Sequence, residues 1–170
     1  MVIGGSALLD KYGNLSKVIE EDGFEIHSRI NMLIEGSSPS SMAKTTGLGL
    51  LEFSTALENI KPDILLVRGD RYEILAPTIA ASYLNIPIAH IEGGDVSGTI
   101  DESVRHAVTK FSHIHLTTND LSKERVIRMG ENPDNVFNVG SPDIEVLSKQ
   151  DLSFNQEKLW GGNIVGVGGK

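Results

Sequence analysis

Short apolar runs alternate with stretches of helical spacing, and this alternation is what most limits the folds open to the chain. "DILLVRG" (63–69), "IPIAHIE" (86–92), "HIHLTTN" (113–119) and "NVFNVGSP" (135–142) each read as a strand running into a turn. Between them, "YEILAPTIAASYL" (72–84), "ESVRHAVTKF" (102–111) and "DLSKERVIRMG" (120–130) carry apolar residues at helical spacing. Pro77 inside the first of these predicts a helix that starts near it or kinks there. Gly130 reads as the C-cap of the third. Upstream, residues 38–60 predict a long helix behind a Ser/Pro turn, and Met1–Ile3 the end of a strand. Strand–helix alternation with short connections implies parallel βαβ units, hence an α/β fold with a doubly wound parallel sheet.

Composition narrows the function. A net charge of −8 weighs against nucleic acid or an anionic membrane as partner, but leaves room for a phosphorylated small molecule held by local cations. The absence of Cys removes thiolate chemistry and disulfides. No apolar run reaches the ~18 residues of a membrane span. The first residues lack the basic and apolar regions of a signal peptide, so a cytoplasmic location is the default expectation.

In open α/β sheets ligands bind beyond the carboxyl ends of the strands. Those ends are Arg68-Gly69-Asp70-Arg71, Glu92-Gly93-Gly94-Asp95, Thr117-Thr118-Asn119 and Gly140-Ser141-Pro142, all polar and most with glycine. Glu92 falls at the sheet rim, on a glycine turn that lets the backbone come close to a ligand. Thr99 and Glu102 have the spacing of a capping box, in which Glu102 reaches back to the cap residue. Asp101 stands in line with Val104 and Val108, in the first turn, where the helix end stabilises a carboxylate. Arg105 has two readings, an ion pair with Asp101 one turn away or a cation facing a diphosphate. His106 falls one turn after Glu102 and reads as its surface partner. Asp70 is the third carboxylate at this edge; the Arg-Gly-Asp spelling around it is a strand terminus, not an adhesion motif.

Other motifs are weak. "VGVGGK" (165–170) has Ile164 where a phosphate loop needs Gly, and no Ser or Thr follows its Lys. His113 and His115 share a strand face but lack a third ligand, so no metal is expected. The tail "WGGNIVGVGGK" (160–170) reads as a linker or a further strand.

"GDRYE" (69–73), "NIPIAHIEGGDVSGTIDESVRHAVTK" (85–110) and "VGSPDIEVL" (139–147) resemble the hydrolysing UDP-N-acetylglucosamine 2-epimerases of sialic acid biosynthesis, and "GSALLDKYGN" (5–14) fits that family too. The resemblance covers most of residues 1–147. It implies two Rossmann-like domains of GT-B type, of which residues 1–150 form part of the first, without its first strand and helix. Residues 151–170 stay unassigned, and the second domain is absent. The implied reaction turns a UDP-2-acetamido sugar into free N-acetylmannosamine, or an analogue, plus UDP, by elimination and then hydration. The resemblance assigns the catalytic carboxylates to Asp70, Glu92 and Asp101, with Asp101 assisting elimination and the other two moving protons. It assigns substrate binding to Arg71, Gly93, Gly94, Ser97, Glu102, Arg105, His106 and Ser141. No cofactor is implied, and the full-length protein is expected to form a homo-oligomer. The alternatives are a non-hydrolysing epimerase and a non-catalytic nucleotide-sugar-binding fragment.

Overall fold

The computed structural model describes residues 1–13, 15–36 and 38–149, in two compact units, one of residues 1–140 and one that begins at Ser141. The unassigned tail, with its Gly-rich motif, therefore lies outside the described residues. The first unit opens with β1 (Val2–Gly4), α1 (Leu15–Glu21), β2 (Ser28–Ile30) and α2 (Pro39–Ile60). It continues through β3 (Leu65–Arg68), α3 (Tyr72–Tyr83), β4 (Ile88–Ile91), α4 (Ile100–Phe111), β5 (Ile114–Thr117), α5 (Asp120–Arg128) and β6 (Val136–Asn138). The second unit contributes one described helix, α6 (Pro142–Lys149).

The strands form two parallel sheets rather than the single one expected, a pair β1-β2 and a quartet β3-β4-β5-β6. In the quartet Arg68, Ile91, Leu116 and Phe137 lie in one row across the sheet. Every strand therefore ends at the same edge, and the polar turns gather there. β1 is itself a strand, paired with β2 through Ile3 and Arg29.

The long helix forms where its end signals place it. Ser38 caps α2, its hydroxyl accepting from Ser41 N at 3.1 Å, and Pro39 occupies the first turn. Thr45, Gly49 and Phe53 line its buried face one turn apart. A Cβ on Gly49 would lie 2.5 Å from the Met32 Cε and 2.9 Å from the Ala76 Cβ, so glycine lets α2 approach α3. α3 starts at Tyr72 and passes through Pro77, so Pro77 marks neither its start nor its end. Ala76, Pro77, Ala80 and Ala81 are all buried, and the packing of this face against α2 and α4 outweighs the lost backbone hydrogen bond. The main cluster joins Met32 and Leu57 to Val67, Ile88 and Val108, beneath the site described next.

Candidate active site

β3 leaves the sheet through Gly69, whose φ of +87° suits a residue without a side chain. The turn presents Asp70, whose Oδ2 accepts from the Arg105 Nη2 on α4. Arg105 is buried, and its Nε and Nη1 have no hydrogen-bond partner among the described residues. The two readings of Arg105 resolve in part: its carboxylate partner is Asp70, not Asp101. Glu92 follows β4 with φ +70°, a left-handed conformation that costs a non-glycine residue about 1–2 kcal/mol. It is held there by its own N–H, which donates to Leu116 O at 2.9 Å. Its Oε1 accepts from Arg68 Nη2 at 2.7 Å and Nε at 3.0 Å.

Asp70 and Glu92 line one cavity of about 310 Å³, together with Ser6, Gly69, Arg71 and Glu73. Asp101 is not in that lining. It lies half-buried in the first turn of α4, one turn before Arg105, and its carboxylate has no partner among the described residues. Arg105 thus connects Asp70 to the helix turn that carries Asp101.

His90 ties these pieces together, and the sequence reading missed it. It is fully buried, with Nε2 2.9 Å from Gly69 O and Nδ1 3.1 Å from Thr109 Oγ1. A carbonyl only accepts, so Nε2 carries the proton. Burial pushes the imidazole down to about 4, so it is neutral at pH 7 and Nδ1 accepts from the Thr109 hydroxyl. The same hydroxyl lies 3.0 Å from Arg105 O. His90 therefore braces the turn that presents Asp70 against the helix that carries Arg105. Its position inside an apolar strand run was the available signal.

The loop after β4 is packed more tightly than a sugar-contacting loop needs to be. Gly93 and Gly94 are buried. A Cβ on Gly93 would lie 3.1 Å from both His90 Nδ1 and Thr109 Oγ1, and one on Gly94 would lie 2.4 Å from Ser122 O. Close packing alone accounts for both glycines. Asp95, also missed, accepts from Thr118 Oγ1 at 2.9 Å and from the Ser122 hydroxyl, and Arg125 donates to Gly94 O. These contacts pin the loop to α5.

The capping box forms with altered partners. Thr99 caps α4, but its hydroxyl accepts from Asp101 N at 3.3 Å, and Glu102 reaches past the cap. Glu102 Oε2 accepts from Gly98 N at 2.7 Å and Ser97 N at 3.0 Å, and these amides hold its carboxyl below the usual range. Ser97 thus meets Glu102 through its backbone. His106 Nε2 lies 3.8 Å from Glu102 Oε1, while its Nδ1 is buried without a partner among the described residues. Arg71 pairs with Glu73 at 3.1 Å and lies over the Tyr72 ring. Ser141 belongs to the second unit, where its carbonyl accepts from Glu145 N at 3.1 Å. The two strand histidines do not act together: His113 Nδ1 accepts from Ile88 N, and the buried His115 faces Glu131 at 3.3 Å. No cluster of three or more metal-ligating side chains occurs among the described residues.

Known proteins resemble this chain in sequence and in fold. A family model described as UDP-N-acetylglucosamine 2-epimerase matches residues 3–163. A UDP-N,N'-diacetylbacillosamine 2-epimerase (hydrolyzing) of Legionella pneumophila is 44% identical over 85% of this chain and 40% of its own length. A GDP/UDP-N,N'-diacetylbacillosamine 2-epimerase (hydrolyzing) of Campylobacter jejuni is 34% identical over 89% of this chain and 41% of its own. The crystal structure of the UDP-GlcNAc 2-epimerase of Neisseria meningitidis bound to UDP-GlcNAc superposes with a TM-score of 0.69 at 25% identity, over 79% of this chain and 37% of that one. The chain thus spans about 40% of the length of the curated relatives it matches. On the family match and these likenesses, the chain belongs to the UDP-N-acetylglucosamine 2-epimerase family.

Proposed function

We propose that these residues form the acid–base half of a hydrolysing 2-epimerase that acts on a UDP-2-acetamido sugar. The observation that carries this reading is the buried Arg105, salt-bridged to Asp70 with two guanidinium nitrogens to spare, beside a cavity lined by Asp70 and Glu92. A buried cation with unused donors suits a diphosphate. As the C1–O bond breaks, UDP departs with the bonding electrons and positive charge grows on the ring. The C2 proton then becomes acidic enough for a carboxylate to take it. Arg105 and the amides at the start of α4 stabilise the departing diphosphate. Water then adds at C1 while a carboxylic acid returns a proton to C2 from the opposite face, which releases the inverted free sugar.

Asp101, one turn above Arg105, assists elimination in this reading, and Asp70 and Glu92 transfer protons. His106, with a buried ring nitrogen to spare, contacts sugar or diphosphate. The whole reaction requires sequence beyond this chain, which spans about 40% of its relatives. The test is a chimaera in which residues 1–149 replace the matching segment of the Legionella protein. It is incubated in heavy water with UDP-N-acetylglucosamine and, separately, with UDP-N,N'-diacetylbacillosamine. Free sugar with deuterium at C2 is the expected product from at least one substrate. A released UDP-sugar epimer would instead favour the non-hydrolysing reaction, and protium retained at C2 would overturn the proton-transfer roles.

A further inference from the structure

The two carboxylate oxygens of Glu92 are not equivalent. Arg68 Nη2 at 2.7 Å and Nε at 3.0 Å both donate to Oε1, whereas Oε2 accepts from no donor among the described residues. Oε1 thereby engages two N–H groups of a side chain that has no acceptor to offer. Oε2 lies over Gly69, 3.9 Å from where a Cβ would stand, so it faces a residue with no side chain to cover it. Arg68, Gly69, Asp70 and Glu92 all line the 310 Å³ cavity.

Both ends of the pair are anchored in the sheet. Arg68 is the last residue of β3 and lies beside Ile91 of β4 in the ladder. Gly69 N donates to Ile91 O at 3.1 Å, and Glu92 N to Leu116 O at 2.9 Å. The backbone on either side is thus fixed before the side chains meet. The side chains of Arg68 and Glu92 are 45% and 19% exposed, and an ion pair this open to water adds little stability. Its consequence is geometric. Two donors of one rigid, planar group converge on one oxygen and fix which way the carboxyl turns.

We propose that Arg68 is a positioning residue for proton transfer at Glu92: by holding Oε1 it leaves Oε2 as the oxygen that exchanges a proton with C2 of the sugar. The inference rests on the hydrolysing-epimerase reading above. When the C2–H bond breaks, its electron pair forms the C1=C2 bond, UDP leaves with the C1–O pair, and the proton goes to a carboxylate. On Glu92 the atom that receives this proton, or returns one to C2 during hydration, is Oε2. A proton on Oε1 has to displace an N–H of Arg68, and one on Oε2 displaces nothing. The division recurs at Asp70, whose Oδ2 accepts from Arg105 Nη2. The two arginines are crossed. Arg68 precedes Asp70 in the chain and holds Glu92, and Arg105 follows Glu92 and holds Asp70. Each proton-transfer group is thus tied to the segment that supports the other.

The test uses the chimaera with the Legionella protein and the substitution Arg68→Ala. The variant is expected to lower kcat about 10–100-fold and to leave KM within about threefold, because the carboxyl is misdirected while the substrate contacts remain. Guanidinium chloride, well below denaturing concentrations, is expected to restore much of the lost kcat, and sodium chloride at the same concentration to restore none. Arg68→Lys, which keeps the charge but not the paired donors, is expected to fall between the variant and the unsubstituted protein. An unchanged kcat, a rise in KM alone, or a loss that guanidinium does not restore overturns the proposal. A second measurement does not depend on turnover. Proton–nitrogen NMR of the 170-residue chain reads the Arg68 Nε–H, which is expected to exchange slowly with water and to lose that protection in Glu92→Ala. Rapid exchange in the unsubstituted chain overturns the tie. If the unsubstituted chimaera releases no free sugar, the epimerase reading falls, and the Nε–H exchange still decides whether Arg68 holds Glu92.

Discussion

The edge of the four-stranded sheet has two halves built from similar residues and used differently. Beyond β5 and β6 the polar groups are spent on one another. Thr117 donates to Phe137 O at 3.2 Å, Asn119 Oδ1 accepts from Ser122 N at 2.9 Å, and Asn138 donates to Asp120 at 2.7 Å. Beyond β3 and β4 capacity is left over. Arg105 keeps two nitrogens without a partner among the described residues, Asp101 has no partner there, and Glu92 is held at φ +70°. Both halves are polar, so polarity does not separate them. Unused hydrogen-bonding capacity beside a strained backbone does, since buried polar groups are otherwise paired and strain otherwise relaxed.

The sharpest way to break this contrast is to remove one group from the open site and one that is tied to Thr118 and Ser122 of the spent half. In the chimaera, Glu92→Gln keeps the shape and a hydrogen-bond acceptor for Arg68 but cannot carry a proton. Turnover is expected to fall by about 10²–10⁴, as for loss of an acid–base group, with the unfolding midpoint nearly unchanged. Asp95→Asn, in the loop pinned to α5, is expected to do the reverse, lowering stability by about 1–3 kcal/mol and leaving turnover within a few-fold. Equal losses of turnover in both variants would erase the distinction.

The next effect tests packing against openness within one loop. A Cβ at Gly94 meets Ser122 O at 2.4 Å with φ at +84°, whereas Gly98, at φ +72°, has nothing within 4 Å. Gly94→Ala is expected to cost about 3 kcal/mol or more, overpacking added to strain, and Gly98→Ala only about 1 kcal/mol. Urea unfolding midpoints measure both. Similar costs would mean that the loop shifts to admit a methyl group, and the close packing assigned to Gly94 would fall.

His90 supplies a pH test of the brace within the β3–β4 half, between the Asp70 turn and α4. Its folded value is about 4 against an ordinary 6.5, so the folded protein excludes a proton that the unfolded chain binds. Its contribution is complete above pH 6.5 and is lost as the pH falls toward 4, up to about 3 kcal/mol in all. The buried His115, also held low by burial, adds in the same direction. His90→Gln is expected to reduce the stability lost between pH 7 and pH 4.5; an undiminished loss would assign it elsewhere.

The fold was legible where signals are local. Ser38, Pro39 and the helical spacing after them bracket α2, and the apolar runs mark β3 to β6. Pro77 does not start α3, because burial of its helix face is a tertiary fact. The split into two sheets was invisible too, since strand pairing joins residues far apart in sequence. At the site, Asp70, Glu92 and Arg105 could be singled out from strand ends and helix register. Their partners could not: Glu102 has the spacing of a capping box yet binds Ser97 N and Gly98 N, and His90 looks like one more strand residue.

The smallest expected effect isolates the spent half most cleanly. Asn119 caps α5 through Ser122 N, and its Nδ2 donates to Thr118 Oγ1 at 2.9 Å. Asn119→Ala removes the cap and is expected to cost about 1 kcal/mol, and Asn119→Asp, which keeps the accepting oxygen, much less. Asn119 is exposed and its partner Ser122 N belongs to the first turn of α5, so the loss should stay in α5. Faster hydrogen exchange limited to residues 120–128, with Asp70 and Arg105 unaffected, would show that the two halves of the edge are energetically separate. A change that spreads to α4 through Ser122 and Asp95 would show that the spent half supports the active one.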